Sequence, residues 1–173
     1  MFQIDQLVVY GIQGVCKIVS TEMKKVDRKN VEYFVLESVQ QPGSRYYIPT
    51  QNQTALSKLR PVITRQELDR YLKEPIDFCQ DIFADENSRK LKYREWIASS
   101  RFHILFSATR AVLRYRNMQL LMGRKLHLCD ESFLKDAEKI LCGEISAVLS
   151  VSLSDARNYL NEYVFSEEET VCM

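Results

Sequence analysis

The chain is poor in the residues that carry most enzyme chemistry. It has two histidines in 173 residues, His103 and His127, and one tryptophan, Trp96. His103 has no Ser or Cys at motif spacing and sits in an apolar-aromatic helix. The carboxylates gather at expected helix starts, where they act as caps and dipole partners. No catalytic residue and no cofactor is therefore expected, and the chain does not read as an enzyme. Glycine is sparse, and Gly11-Ile12-Gln13-Gly14 is too short and lies between strands. It is a turn needing positive φ, not a phosphate loop. The five cysteines, Cys16, Cys79, Cys129, Cys142 and Cys172, form no CxxC and have no histidine at ligand spacing, which argues against a disulfide framework or a metal site. They read as small buried hydrophobes plus one thiol in the tail. No apolar run reaches 18 residues, so no membrane-spanning helix is expected. The start, MFQIDQLVVY, lacks the basic and apolar stretches of a signal peptide. A cytoplasmic protein is the expectation.

What is present is an ordinary core-forming composition, 46% hydrophobic and 27% charged, with charge unevenly placed. The net charge is +1, but residues 1–62 carry +3, residues 63–87 carry −4, residues 88–127 carry +9 and residues 128–173 carry −7. A near-neutral chain with one strongly basic block points to a local polyanion site.

The first sixty residues alternate as short strands. Val15 to Ser20 is rich in β-branched residues, residues 26–30 form a polar hairpin connection, and Glu32 to Leu36 is the most apolar strand. Gln41-Pro42-Gly43-Ser44 is a turn, and Arg45 to Ile48 is a strand stopped by Pro49. With Leu7 to Tyr10 and a last strand near Leu59 to Val62, five strands suggest a small closed barrel, since closure removes exposed edges. After Val62 the period becomes helical. Thr64-Arg65-Gln66-Glu67 is a capping box, and Pro75 ends that helix. A weak helix is expected at 76–83, then helices at 88–99 and 103–121, broken at Ser99-Ser100 and ended by Gly123. A helix from Cys129 or Asp130 and a last one from Ser152 complete the pattern, with an acidic tail at 166–173.

The basic block is the strongest physical signal. Lys90 and Arg94 are one turn apart, as are Arg110 and Arg114, while Arg89 and Lys92 are three residues apart. Arg124 and Lys125 follow in a loop. Such groups neutralise phosphates and release counterions. Nothing in the block has a base-reading pattern, so contact with the backbone and its shape is expected. Trp96 is a contender for a minor-groove wedge, although Tyr93, Trp96 and Ile97 share a helical face, which favours packing.

Taken in order, Phe2, Val8-Val9-Tyr10, Gly11, Gly14, Glu32 to Leu36, and Ile48-Pro49 resemble the CarD/CdnL family and the polymerase-interacting domain of transcription-repair coupling factors. Tyr93-Arg94-Glu95 is similar to that family's first basic helix, and the run from Ala137 through Ile140-Leu141 to Gly143-Glu144 to its later motif, so the resemblance covers about residues 1–165. It implies an α+β protein in two domains: a small five-stranded Tudor/SH3-like β-barrel, residues 1–62, that binds the bacterial RNA polymerase β subunit, and an all-helical DNA-binding domain, residues 63–165. It implies a regulator of open-complex stability at the upstream edge of melted promoter DNA. Lys24, Arg45, Tyr47 and Pro49 would form the polymerase-binding set. Tyr47 stands where the family places an arginine, with Arg45 two residues earlier on the same strand face. Arg89, Lys90, Lys92, Arg94, Arg110, Arg114, Arg124 and Lys125 would bind duplex promoter DNA without sequence specificity. Counting back from Tyr93 puts Arg89 at the family's wedge position, where it is left to enter a narrow minor groove by charge. A monomer is expected. Two rival readings stay open: a protein-interaction adaptor whose helices only scaffold, and an RNA-binding protein.

Overall fold

The computed structural model describes residues 2–74 and 85–165. The expected weak helix at 76–83, the stop at Pro75, Cys79, and the acidic tail at 166–173 with Cys172 lie outside the described residues. The N-terminal unit is built from β1 (Leu7–Tyr10), β2 (Val15–Val26), β3 (Lys29–Ser38), β4 (Arg45–Pro49) and β5 (Leu59–Pro61). A short helix, α1 (Gln53–Leu56), joins β4 to β5. The helices that follow are α2 (Arg65–Tyr71), α3 (Glu86–Ser99), α4 (Phe102–Leu121), α5 (Leu128–Leu149) and α6 (Leu153–Phe165).

The architecture is α+β, an antiparallel five-stranded sheet followed by helices, but the expected barrel does not close. The strand order is β4-β3-β2-β1-β5, and β4 and β5 stand at opposite edges. The segment between them explains why. Asn52 accepts a hydrogen bond from Ala55 N at 3.1 Å and starts α1, which the sequence reading passed over. Ala55 and Leu56 then pack on the core of Val8, Cys16, Ile18, Leu36, Ile48 and Leu59. A helix thus covers the apolar face where a closing strand pair would have stood.

Period two explains how one sheet serves two cores. Val8 and Val9 are both fully buried, yet adjacent strand residues point to opposite faces. Val8 faces the small core under α1. Val9 and Val15 face the larger core, with Leu68, Phe102, Leu105, Phe106, Ile140, Leu141 and Ile145 among its members. The part of the sheet's outer face around Val9 and Val15 is therefore covered by helices.

Local signals place the helix ends. Thr64 and Glu67 exchange bonds as a capping box, Thr64 N to Glu67 Oε2 at 2.8 Å and Glu67 N to Thr64 Oγ1 at 3.2 Å. These bonds hold the Glu67 carboxyl below its usual range. Asp85 caps α3 through Ser88 N at 2.8 Å. Ser100, in the left-handed region at φ 48°, separates α3 from α4. At the end of α4, Arg124 N bonds Gln119 O and Gly123 N bonds Leu120 O, a Schellman turn with Gly123 at φ 70°.

Two contacts lock the sheet to α5. Arg60 on β5 grips Glu144 with its two terminal guanidinium nitrogens, each at 2.6 Å, and its Nε also donates to the Ser100 carbonyl. Ile63 N supplies Glu144 with a further bond at 2.9 Å. Beside it, Gln40 donates to the Lys139 carbonyl at 2.8 Å. A Cβ on Gly143 would lie 2.3 Å from Gln40 Nε2, so any other residue there would push the Gln40 amide off its bond to Lys139.

Candidate functional site

The β3–β4 end of the outer sheet face gathers the four residues expected to bind polymerase. Tyr47 and Arg45 are exposed on one side of β4, with Pro49 half-buried beyond them and Ile48 pointing inward. Tyr47 stands opposite Val35, which is fully buried. The Lys24 ammonium sits 3.1 Å from the centre of the Tyr47 ring, a cation–π contact across the sheet. Arg45 pairs with Glu37 at 3.3 Å, its cross-strand neighbour. The result is a rigid aromatic plate with a cation on either side, on an edge strand whose outer hydrogen-bonding groups have no strand partner. Such a surface suits a partner with carboxylates and a flat apolar patch.

The basic block divides differently from its sequence spacing. Arg89 is not on the surface: it is 2% exposed and donates from Nε to Asp130 Oδ1 at 3.0 Å. Asp130 is fully buried in the first turn of α5 and also accepts from the Tyr93 hydroxyl at 2.8 Å. Burial, the bond to Asp130 and its charge all raise the Tyr93 phenol well above its ordinary value. A buried carboxylate needs a cation, and Arg89 supplies it. Its expected place at the wedge position is thereby corrected. Arg110 is corrected in the same way: it is 3% exposed, donates to the Glu74 carbonyl at 2.9 Å and lies over the Phe106 ring.

The other members stay at the surface. Lys90 pairs with Glu86 at 2.6 Å and Lys92 with Glu95 at 2.9 Å, so both are half neutralised. Arg94, Arg114, Arg124 and Lys125 are exposed. Trp96 is half-buried, its ring 5.8 Å from Tyr93 and 5.9 Å from Phe133, with Tyr93 and Phe133 stacked on each other at 4.3 Å. It packs the α3–α5 contact.

Sequence reasoning missed the end of α4. Met118, Leu120, Leu121, Met122 and Leu128 are all exposed, Leu121 by 89% and Leu128 by 83%. They follow a helical rhythm, which invites a reading as core. Continuing the buried positions Leu105, Thr109 and Val112 by helical spacing, however, leads to Arg116 and Gln119. Met118, Leu121 and Met122 lie off that line, on one face with Arg114. Arg124 and Lys125 follow in the Schellman turn, and among the described residues neither pairs with a carboxylate. No acidic residue occurs between Glu95 and Asp130. The tip is thus a rigidly presented apolar knob set among cations.

Among the described residues His103 lies against the Tyr71 ring and His127 is 3.6 Å from Glu86. Among the described residues no group of histidine, cysteine and carboxylate side chains gathers as metal ligands, and no helix is long and apolar enough to cross a membrane.

No curated protein matches the chain. Residues 2–63 match the profile of the CarD-like/TRCF RID domain, a family that interacts with the RNA polymerase β subunit.

Proposed function

Starting from a chain whose residues 2–63 form a CarD-like/TRCF RID domain, we propose that it is a transcription regulator that joins the RNA polymerase β subunit to promoter DNA. The β subunit docks on the outer sheet face, against Tyr47, Lys24, Arg45 and Pro49. The observation that carries this reading is the Lys24–Tyr47 stack beside Arg45 on an edge strand, at the β3–β4 end of the face. Aromatic and arginine side chains are the commonest anchors of protein interfaces.

The DNA half of the reading rests on the tip of α4. Arg124, Lys125 and Arg114 meet phosphates near the upstream edge of the open complex, with Lys90, Lys92 and Arg94 on the same helical unit. With Arg89 inside and Trp96 packed, the exposed apolar side chains beside the cations at the tip include Met118, Leu121 and Met122, while Leu91 is exposed between Lys90 and Lys92 on α3. Residues of this kind enter base steps from the minor groove, at a cost of a few kcal/mol of unstacking. That cost is recovered only on distorted or melted DNA, which is how such a tip stabilises an open promoter.

The test is capture of the full chain by immobilised β subunit. Replacing Arg45 and Tyr47 with Ala together is expected to weaken binding at least about tenfold, as loss of an interface anchor does. Unchanged affinity would remove this face from the interface. The adaptor reading has one observation in its favour, the internal pairing of Arg89, Arg110, Lys90 and Lys92. Absence of any salt-dependent duplex binding by the intact chain would decide for it.

A further inference from the structure

Beyond the sheet proper, β2 and β3 continue together with no strand neighbour among the described residues. On one side, backbone bonds from the N-terminal residues and β1 reach β2 no farther than Ile18. On the other, β4 pairs as far as Tyr33, and Thr50 N bonds the Glu32 carbonyl. Residues 23–31 therefore project as a two-stranded ribbon. It carries Lys24, Lys25, Arg28 and Lys29 against a single acid, Asp27. The register sets Lys25 opposite Asn30 and Val26 opposite Lys29, so no cross-strand ion pair is formed. Among the described residues Lys25, Arg28 and Lys29 have no carboxylate partner. Met23 and Val26 add exposed apolar surface.

The turn at the end of the ribbon is unusual in its residue choice. Asp27 at φ 48° and Arg28 at φ 64° are both left-handed, as a two-residue hairpin turn with the strands' own twist requires. Glycine is the strain-free residue at the second of these positions. An arginine there holds a guanidinium at the extreme point of the fold, and such an outlier is reason to look for a contact. At its other end the ribbon runs into the docking face, since Lys24 is the residue stacked on Tyr47.

We infer that the ribbon is a second docking element, reaching past the sheet onto an acidic, partly apolar surface of the same β subunit. This rests on the docking reading above. Asp27 at the tip, with Glu22 and Glu32 at the base, would face phosphates unfavourably, which sets duplex DNA behind a protein surface offering carboxylates and donors together. Val26, opposite Lys29 and on the same side of the ribbon as Lys24, supplies the apolar part of the contact.

The test measures association and dissociation of the full chain with immobilised β subunit at low and high salt. The variant combines Lys25→Ala, Arg28→Gly and Lys29→Ala. Arg28→Gly relieves the left-handed strain, so thermal stability is expected to hold or rise. Affinity for the β subunit is expected to fall about tenfold at low salt, mainly through slower association, with the difference shrinking at high salt. Duplex DNA affinity of the free chain is expected to stay unchanged. Wild-type kinetics in the variant would overturn the ribbon contact and leave the docking face standing. A loss confined to DNA affinity would overturn it in favour of a nucleic-acid ribbon. Failure of the wild-type chain to bind the β subunit would overturn the docking reading and the ribbon contact with it.

Discussion

Replacing Arg89 with Leu should damage stability and spare DNA binding. The Asp130 carboxylate is fully buried, and its Oδ1 accepts both the Arg89 Nε at 3.0 Å and the Tyr93 hydroxyl at 2.8 Å. Without the guanidinium, a buried negative charge keeps one phenol and, at 3.6 Å, the Cys129 thiol. Breaking a buried pair from one side costs about 3–5 kcal/mol. In a chain of this size each kcal/mol moves the melting midpoint by roughly 2–4 °C, so a fall on the order of 10–15 °C is expected. Replacing both partners, Arg89→Leu with Asp130→Leu, removes the desolvation cost along with the attraction and should recover most of the loss. Thermal and urea unfolding of the two variants measure the coupling. Duplex affinity, measured well below the melt, should match that of the parent chain. An Arg89→Leu variant that melts with the parent but loses DNA affinity would refute the reasoning, because it would put the side chain on the DNA and not in the core.

Three further outcomes are expected. Replacing Arg124 and Lys125 with Ala should flatten the log–log salt dependence of duplex binding by up to about two units, while Leu121→Ser should change stability by no more than about 0.5 kcal/mol and shorten open-complex lifetime; an unchanged slope and lifetime would remove the tip from the DNA surface. Gly143→Ala should destabilise by about 1–2 kcal/mol despite a better helix propensity, since the new Cβ expels Gln40 from its bond to Lys139, and adding Gln40→Ala should reverse the sign; calorimetry on the pair decides. Burial pushes the Cys16 and Cys142 thiols up to about 11, from 9.0. The unfolded thiols therefore ionise first as pH rises, and stability present below pH 9 should be lost progressively towards pH 11, by roughly 2–3 kcal/mol for each thiol; urea midpoints that stay flat across that range would contradict their burial.

Much of the fold was legible because its signals are local. The runs at 7–10, 15–20, 32–36 and 45–48 are short, β-branched or aromatic, and bounded by turn residues, and each became a strand. Thr64 and Glu67 announce a helix start by chemistry contained in four residues, and Gly123 announces an end. Period two alone places Arg45 and Tyr47 on one side of a strand, so their shared face was also within reach of the sequence. The closure of the sheet was not, because it depends on whether β4 meets β5 across space, and the four residues of α1 settle that by filling the gap.

The basic block marks the limit most clearly. Spacing groups Arg89 with Lys92 and Arg110 with Arg114, but a helix has no inside until something packs on it. Asp130, 41 residues beyond Arg89, draws that arginine into the core, and the Glu74 carbonyl draws in Arg110. The same packing ends at Val112, so the apolar residues from Met118 to Met122, which look like more core in one dimension, are left in water. The sequence by itself determined where the strands and the long helices lie and that charge is concentrated between Ser88 and His127. Only the tertiary structure decided which of those charges stay at the surface, because burial is a property of neighbours brought together from distant parts of the chain.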